Sequence, residues 1–152
     1  MLSKNKIKFI HSLEQKKVRR ETACFVAEGN KLVNDTIRSF DCRLLVATAS
    51  WLEEHPGLKA EEIIEVSSEE IKKASLQKTP QDVIAVYHIP DYSINFESLD
   101  RCLSIALDTV QDPGNMGTIM RTMLGFNYYN LAIIRPGVDV FDPRVLRASM
   151  GA

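Results

Sequence analysis

The stretch DPGNMGTIMR, Asp112 to Arg121, sets an amide, two glycines and a single guanidinium between apolar runs. Asn115 can donate and accept, Gly117 lets a backbone or a ligand come close, and Arg121 is a permanent cation. An amide and a fixed cation at this spacing on a helix can share one site. On a helix, Arg121 lies about 9 Å beyond Asn115 along the axis, and its long side chain leans back toward the helix start. The same residues also have plain structural roles: an Asn after Pro-Gly commonly only caps a helix, and a helical Arg is most often solvated. Two familiar phosphate loops are excluded, because GNMG fits neither G-x-x-x-x-G-K-[ST] nor G-x-G-x-x-G. A KH-type G-x-x-G loop is also disfavoured, since Asn115 and Met116 stand where that loop carries basic residues.

These residues need a strand, a turn and a helix to position them. The spacing predicts a buried strand over 103–108, a type II turn at Asp112–Asn115, a helix from Asn115 to Gly125 with Asn115 as its cap, and a strand over 131–134. Together they make one right-handed β-α-β unit, with the turn at the carboxyl end of its first strand, where open α/β sheets bind ligands. A further helix begins with Pro143 at its first position.

Upstream, helical and strand patterns alternate. Ser3 can cap a helix with Ile7, Ile10 and Leu13 on one face, and strands are expected at 24–29, 43–49, 63–66 and 83–87. A helix is expected over 30–40, and Ser67 with Glu70 has the spacing of a capping box. Alternation of this kind implies an α/β layer domain with a largely parallel sheet. The segment 91–102 is polar and turn-rich, which divides the chain into domains at 1–90 and 103–152 with a linker between them.

The 152 residues carry a net charge of −1, with 45% hydrophobic and 26% charged, an ordinary balance for a packed protein. The charge is unevenly placed: residues 1–20 hold Lys4, Lys6, Lys8, Lys16, Lys17, Arg19 and Arg20 against Glu14 alone, so this segment is +6 and the remainder −7. Such a concentration fits phosphate contacts, or simply a solvated face. Cys24, Cys42 and Cys102 lack metal spacing and read as reduced core thiols, and His11, His55 and His88 are too scattered for a zinc site. No metal, no membrane segment and a cytoplasmic location are expected. Trp51, Tyr87, Tyr92, Tyr128 and Tyr129 could stack on bases, though scattered aromatics are more often core or surface filler.

DPGNMGTIMRT resembles the first motif of the SpoU/TrmH RNA ribose 2′-O-methyltransferases of the knotted SPOUT class, with Asn115, Gly117 and Arg121 at family spacing. DPRVLRASMGA, 142–152, resembles their second motif through Arg147, Ser149 and Gly151. KKVRRETACFVAEG, 16–29, is similar to the start of the small ribosomal-protein-like α/β substrate-binding domain that precedes the methyltransferase domain. The resemblance implies a SPOUT, Rossmann-like second domain, S-adenosylmethionine as cofactor, rRNA or tRNA as partner and a homodimer. The family's third motif, a G-x-E-x-x-G loop with a later S-L-N segment, has no counterpart here. The chain is therefore expected to be a truncated form, inactive by itself, and no cofactor-binding residue is assigned.

In the implied reaction a ribose 2′-hydroxyl loses its proton as it attacks a methyl sulfonium. A guanidinium does not titrate in the accessible range, so Arg121 is expected to hold a phosphate and stabilise the alkoxide, with Asn115 orienting Arg121 or the ribose. The lysines and arginines of residues 4–20 are the expected RNA contacts. The alternative is an RNA-binding module without catalysis.

Overall fold

Ser3 opens the first helix by accepting the Lys6 amide on its side chain, and α1 runs Lys4–Ser12. Ile10 and Leu13 then fall on one face and are completely buried, while Lys4 and Lys8 point outward. A second short helix, α2, spans Lys16–Thr22. Strand β1 (Cys24–Glu28) follows, then α3 (Asn30–Thr36), β2 (Cys42–Ala47), α4 (Ala49–Glu54), β3 (Glu62–Glu65), α5 (Ser68–Ala74) and β4 (Val83–His88). The computed structural model describes residues 1–91, 99, 102–134 and 137–152. The chain divides into two units, Met1–Ile89 and Pro90–Ala152. Most of the linker expected at 91–102 lies outside the described residues.

In the first unit the strands lie in the order β1-β4-β2-β3. β4 runs antiparallel to both of its neighbours, and only β2 and β3 form a parallel pair. This corrects the expectation of a largely parallel sheet. β4, VIAVYH, is apolar almost throughout, and a strand buried on both faces and both edges belongs in the middle. Its insertion separates β1 from β2, which share a direction but do not touch as a pair. β3, EIIE, closes one side with glutamates at both ends, which discourages further strand addition at that edge.

Alternation along the strands builds a core on each face of the sheet. Cys24, Val26, Leu44, Val46, Ile84 and Val86 meet Ile10 and Leu13 from the α1 side and Ile71 and Ala74 from α5. On the opposite face Phe25 and Tyr87 pack against Phe40 at ring separations of 5.1 and 5.7 Å. Tyr87 is buried and its hydroxyl meets Thr36 Oγ1 at 3.1 Å; burial holds its ionisation well above the ordinary range. The capping box at α5 forms as its spacing requires: Ser67 Oγ accepts the Glu70 amide, and the Glu70 carboxylate accepts the Ser67 amide. Cys42, sealed in this core, is pushed up to about 11 by desolvation. Cys24 is likewise buried, but Cys102 is exposed, so the third thiol is not a core residue as expected.

The helix expected over 30–40 stops at Thr36, whose hydroxyl bonds back to Leu32 O at 2.7 Å. Ile37 and Phe40 nonetheless still reach the core. Glu28, at the end of β1, is the notable buried acid: its carboxylate accepts from Ser75 Oγ and from the Leu76 amide.

The second unit contains β5 (Ser104–Asp108), α6 (Pro113–Gly125), β6 (Asn130–Ile134) and α7 (Pro143–Ser149). β5 and β6 pair in parallel, so the β-α-β unit is present. Met116, Met123, Val145 and Leu146 form its buried interior. α7 has a stop that its sequence only hinted at: Met150 and Gly151 both adopt positive φ, and Ser149 Oγ accepts the Gly151 amide. Among the described residues, no helix is long and apolar enough to cross a membrane.

Candidate functional site

The site region of the second unit begins where β5 ends. Thr109, a β-branched residue, sits at φ 56, a conformation such residues seldom adopt, and it marks the turn out of the strand. Asp112 then caps α6, its Oδ1 accepting the Asn115 amide at 2.7 Å, and Pro113 takes the first helical position. Asn115 is therefore the third residue of the helix and not its cap, and the first helical turn replaces the expected type II turn. The reason is local: the Asp112 carboxylate at the cap takes the Asn115 amide, and Pro113 with its preset φ starts the helix two residues before Asn115. The Asn115 side chain is left exposed, with no intramolecular hydrogen bond among the described residues.

Asn115 lines a groove of about 410 Å³ with Thr109, Gln111, Asp112, Thr118 and Ile119. Arg121 is outside it. With 3.6 residues per turn, six residues rotate the chain by about a third of a turn away from Asn115 and carry it about 9 Å along the axis. Both residues are on the exposed side of α6, at its opposite margins, and no hydrogen bond joins them. A role for Asn115 in orienting Arg121 is thus not seen in this geometry. Arg121 stands one turn beyond Gly117, beside the seam with α7. At that seam a Cβ on Gly117 would come within 2.5 Å of Ala148 Cβ and 2.6 Å of Ser149 N. The close approach anticipated at Gly117 is to another helix.

The second motif divides into surface and structural parts. Ser149 is buried and its hydroxyl donates to Leu146 O at 3.0 Å, so it ties the end of α7. Arg147 is exposed and, like Arg121, makes no hydrogen bond or ion pair among the described residues. Asp142 caps α7 through the Arg144 amide and also grips the Arg144 guanidinium with both oxygens, at 2.9 and 3.0 Å.

In the first unit, Lys4, Lys8, Lys16, Lys17 and Arg20 are exposed. Lys6 is ion-paired to Glu62, and Lys17 is 3.8 Å from Glu21. Arg19 corrects the expectation that it contacts RNA. It is 1% exposed, and its Nη1 donates to both Leu13 O and Glu14 O at 2.8 Å. Those carbonyls follow α1, where helical partners run out, and a guanidinium with several donors satisfies two of them together. Of the aromatic residues, Trp51 and Tyr87 are buried and closed to bases, Tyr128 and Tyr129 are exposed, and Tyr92 lies outside the described residues.

Sequence reasoning missed Gln111 and Thr118 in the groove of the second unit; only the strained Thr109 turn distinguishes that segment, and strain is not written in a one-letter code. It also missed a groove in the first unit shared by α1, β2 and β3, for which no local pattern exists.

The MRM3-like substrate binding domain matches residues 4–85, and the SpoU rRNA Methylase family matches residues 102–152. The chain belongs to the SpoU/TrmH family of RNA methyltransferases. Family relatives include human mitochondrial rRNA methyltransferase 3, 31% identical over 88% of this chain and 34% of that protein. Another is the 23S rRNA (guanosine(2553)-2′-O)-methyltransferase RlmP of Bacillus subtilis, 28% identical over 97% of this chain and 58% of that one. Among solved structures, a TrmH-family protein from Porphyromonas gingivalis is 38% identical with a TM-score of 0.88, covering 99% of this chain and 59% of that one. An AdoMet-bound rRNA methyltransferase from Sinorhizobium meliloti is 31% identical with a TM-score of 0.75 and the same coverage, 99% and 59%. The chain thus spans about a third of the vertebrate relative and about three fifths of the bacterial ones. The fold is the α/β substrate-binding domain and the N-terminal part of the SPOUT domain.

Proposed function

We propose that this chain serves methylation of a ribose 2′-hydroxyl in RNA, with ribosomal RNA as substrate, S-adenosylmethionine as methyl donor and a homodimer as the working form. The observation that carries the reading is the α6–α7 seam. Gly117 brings the two motif segments into contact, and each offers one exposed arginine without a protein partner among the described residues. A guanidinium that no protein group engages keeps its planar fork of donors for a phosphate and for an oxygen that becomes negative.

S-adenosylmethionine supplies an electrophilic methyl group when bound. The residues described here do not make an enclosed place for it. The groove at the strand end is lined only by one loop and the first turns of α6. Arg121 holds the phosphate next to the target ribose and stabilises the alkoxide, while the proton leaves to a phosphate oxygen or water. Asn115, turned toward the groove, positions the ribose. The exposed cations Lys4, Lys8, Lys16, Lys17 and Arg20 contact the RNA backbone, which sets affinity and register without reading sequence.

The test replaces Arg121 by Ala in the encoding gene and maps 2′-O-methylated positions in total RNA by their resistance to alkaline cleavage. Loss of one ribosomal site is expected. Retention of every site overturns the catalytic reading and leaves an RNA-binding module.

A further inference from the structure

The first unit has a groove of about 560 Å³ lined by Asn5, Lys6, Phe9, Arg43, Glu61 and Glu62. Its chemistry is specific. The Arg43 guanidinium lies over the Phe9 ring, 5.0 Å from the centroid, and its Nη1 donates to Cys24 Sγ at 3.3 Å. Held from below and at one end, it forms a flat plate and not a freely moving cation. Glu61 is fixed in turn, its Oε1 meeting His88 Nε2 at 2.7 Å, with its side chain still 63% exposed. Glu62 is neutralised by its ion pair with Lys6.

We infer that this groove binds an unpaired guanine base of RNA, stacked on the Arg43 plate with its Watson–Crick edge on Glu61. The inference rests on the RNA-binding reading above and deepens it. A guanidinium plane is a stacking surface for bases. Two carboxylates in the lining disfavour a phosphate in the same place. A carboxylate accepts only, so it needs a ligand edge made of donors. Guanine alone among the four bases presents two adjacent donors there, N1–H and N2–H₂. Adenine and cytosine each set one donor beside a ring-nitrogen acceptor, which Glu61 repels, and uracil sets its single donor between two carbonyls. Lys4 and Lys8, on the same helix as Phe9, are exposed and free to meet flanking phosphates.

Fluorescence anisotropy on the full chain tests this with labelled RNA hairpins that differ in one unpaired loop nucleotide: guanosine, inosine or adenosine. The guanosine hairpin should bind about 10-fold more tightly than the adenosine hairpin, the low end of what a bidentate base contact contributes. The inosine hairpin, which lacks the 2-amino group, should fall between them, a comparison that leaves the protein untouched. Glu61→Gln should erase the preference while binding of the adenosine hairpin holds. Equal binding of all three hairpins by the wild-type chain, or a preference that survives in Glu61→Gln, overturns the guanine site but leaves RNA binding standing. No binding of any hairpin overturns both.

Discussion

Gly117 and Ala148 stand so close that a Cβ on the glycine would lie 2.5 Å from the alanine Cβ, with the Ser149 amide nitrogen at 2.6 Å. Two of the near atoms are backbone, so no rotamer change relieves the clash, and α7 has to move. Gly117→Ala should destabilise the second unit by about 1–3 kcal/mol. Hydrogen exchange resolves it by segment: faster exchange in α6 and α7, with β1 and β4 of the first unit unchanged. Wild-type protection at α6 would show that the seam tolerates a methyl group.

Arg19 and Arg20 are neighbours in sequence with opposite fates. Arg19→Ala leaves the Leu13 and Glu14 carbonyls short of a donor and should cost about 1–3 kcal/mol in unfolding, with an unchanged salt dependence of RNA binding. Arg20→Ala should leave stability alone and reduce the slope of log K against log salt by about 1. Denaturant melts and filter-binding titrations separate the two. The reverse pattern would mean that the buried and exposed arginines have been exchanged.

Arg121→Lys tests what kind of cation the reaction needs. Lysine keeps the charge but loses the planar fork that can grip a phosphate and an oxyanion together. Methyl transfer to RNA should fall by about 10²-fold or more, with RNA affinity nearly constant, and Arg121→Ala should be only modestly worse. Turnover near wild type in Arg121→Lys would reduce Arg121 to a general electrostatic contact.

Glu70 gives a pH signature. Its carboxylate accepts the Ser67 amide at 3.1 Å and the Leu2 amide at 2.8 Å, and these bonds hold its pKa below the ordinary 4.5. A depressed carboxyl contributes stability above its unfolded pKa, and that contribution is lost as pH falls through the folded value. Glu70→Gln should therefore lower Tm at neutral pH, and the gap to wild type should close in acid. A gap that is constant with pH would assign the effect to packing of the side chain.

The sequence by itself determined features fixed by near neighbours: Ser3 as the cap of α1, the Ser67–Glu70 capping box, Pro143 at the start of α7, and the two family motifs with their arginines. The caps depend on residues a turn or less apart and each motif on a run of eleven consecutive residues, so a one-dimensional pattern contains them. It fell short where two local solutions competed, as at Asp112–Asn115, because the choice between an Asp cap with Pro behind it and an Asn cap turns on which amides are satisfied first. Only the tertiary structure decided the rest. β4 entered between β1 and β2, since strand order follows from burying the most apolar strand on every side, and alternation of helices and strands says nothing of that. Arg19 turned inward to the carbonyls after α1, although its sequence context is as basic as that of Arg20. Gly117 met α7, and Phe9 of α1, Arg43 of β2 and Glu61 just ahead of β3 came together to line one groove. These are contacts between residues far apart in the chain, whose partners are set by packing and burial and not by spacing.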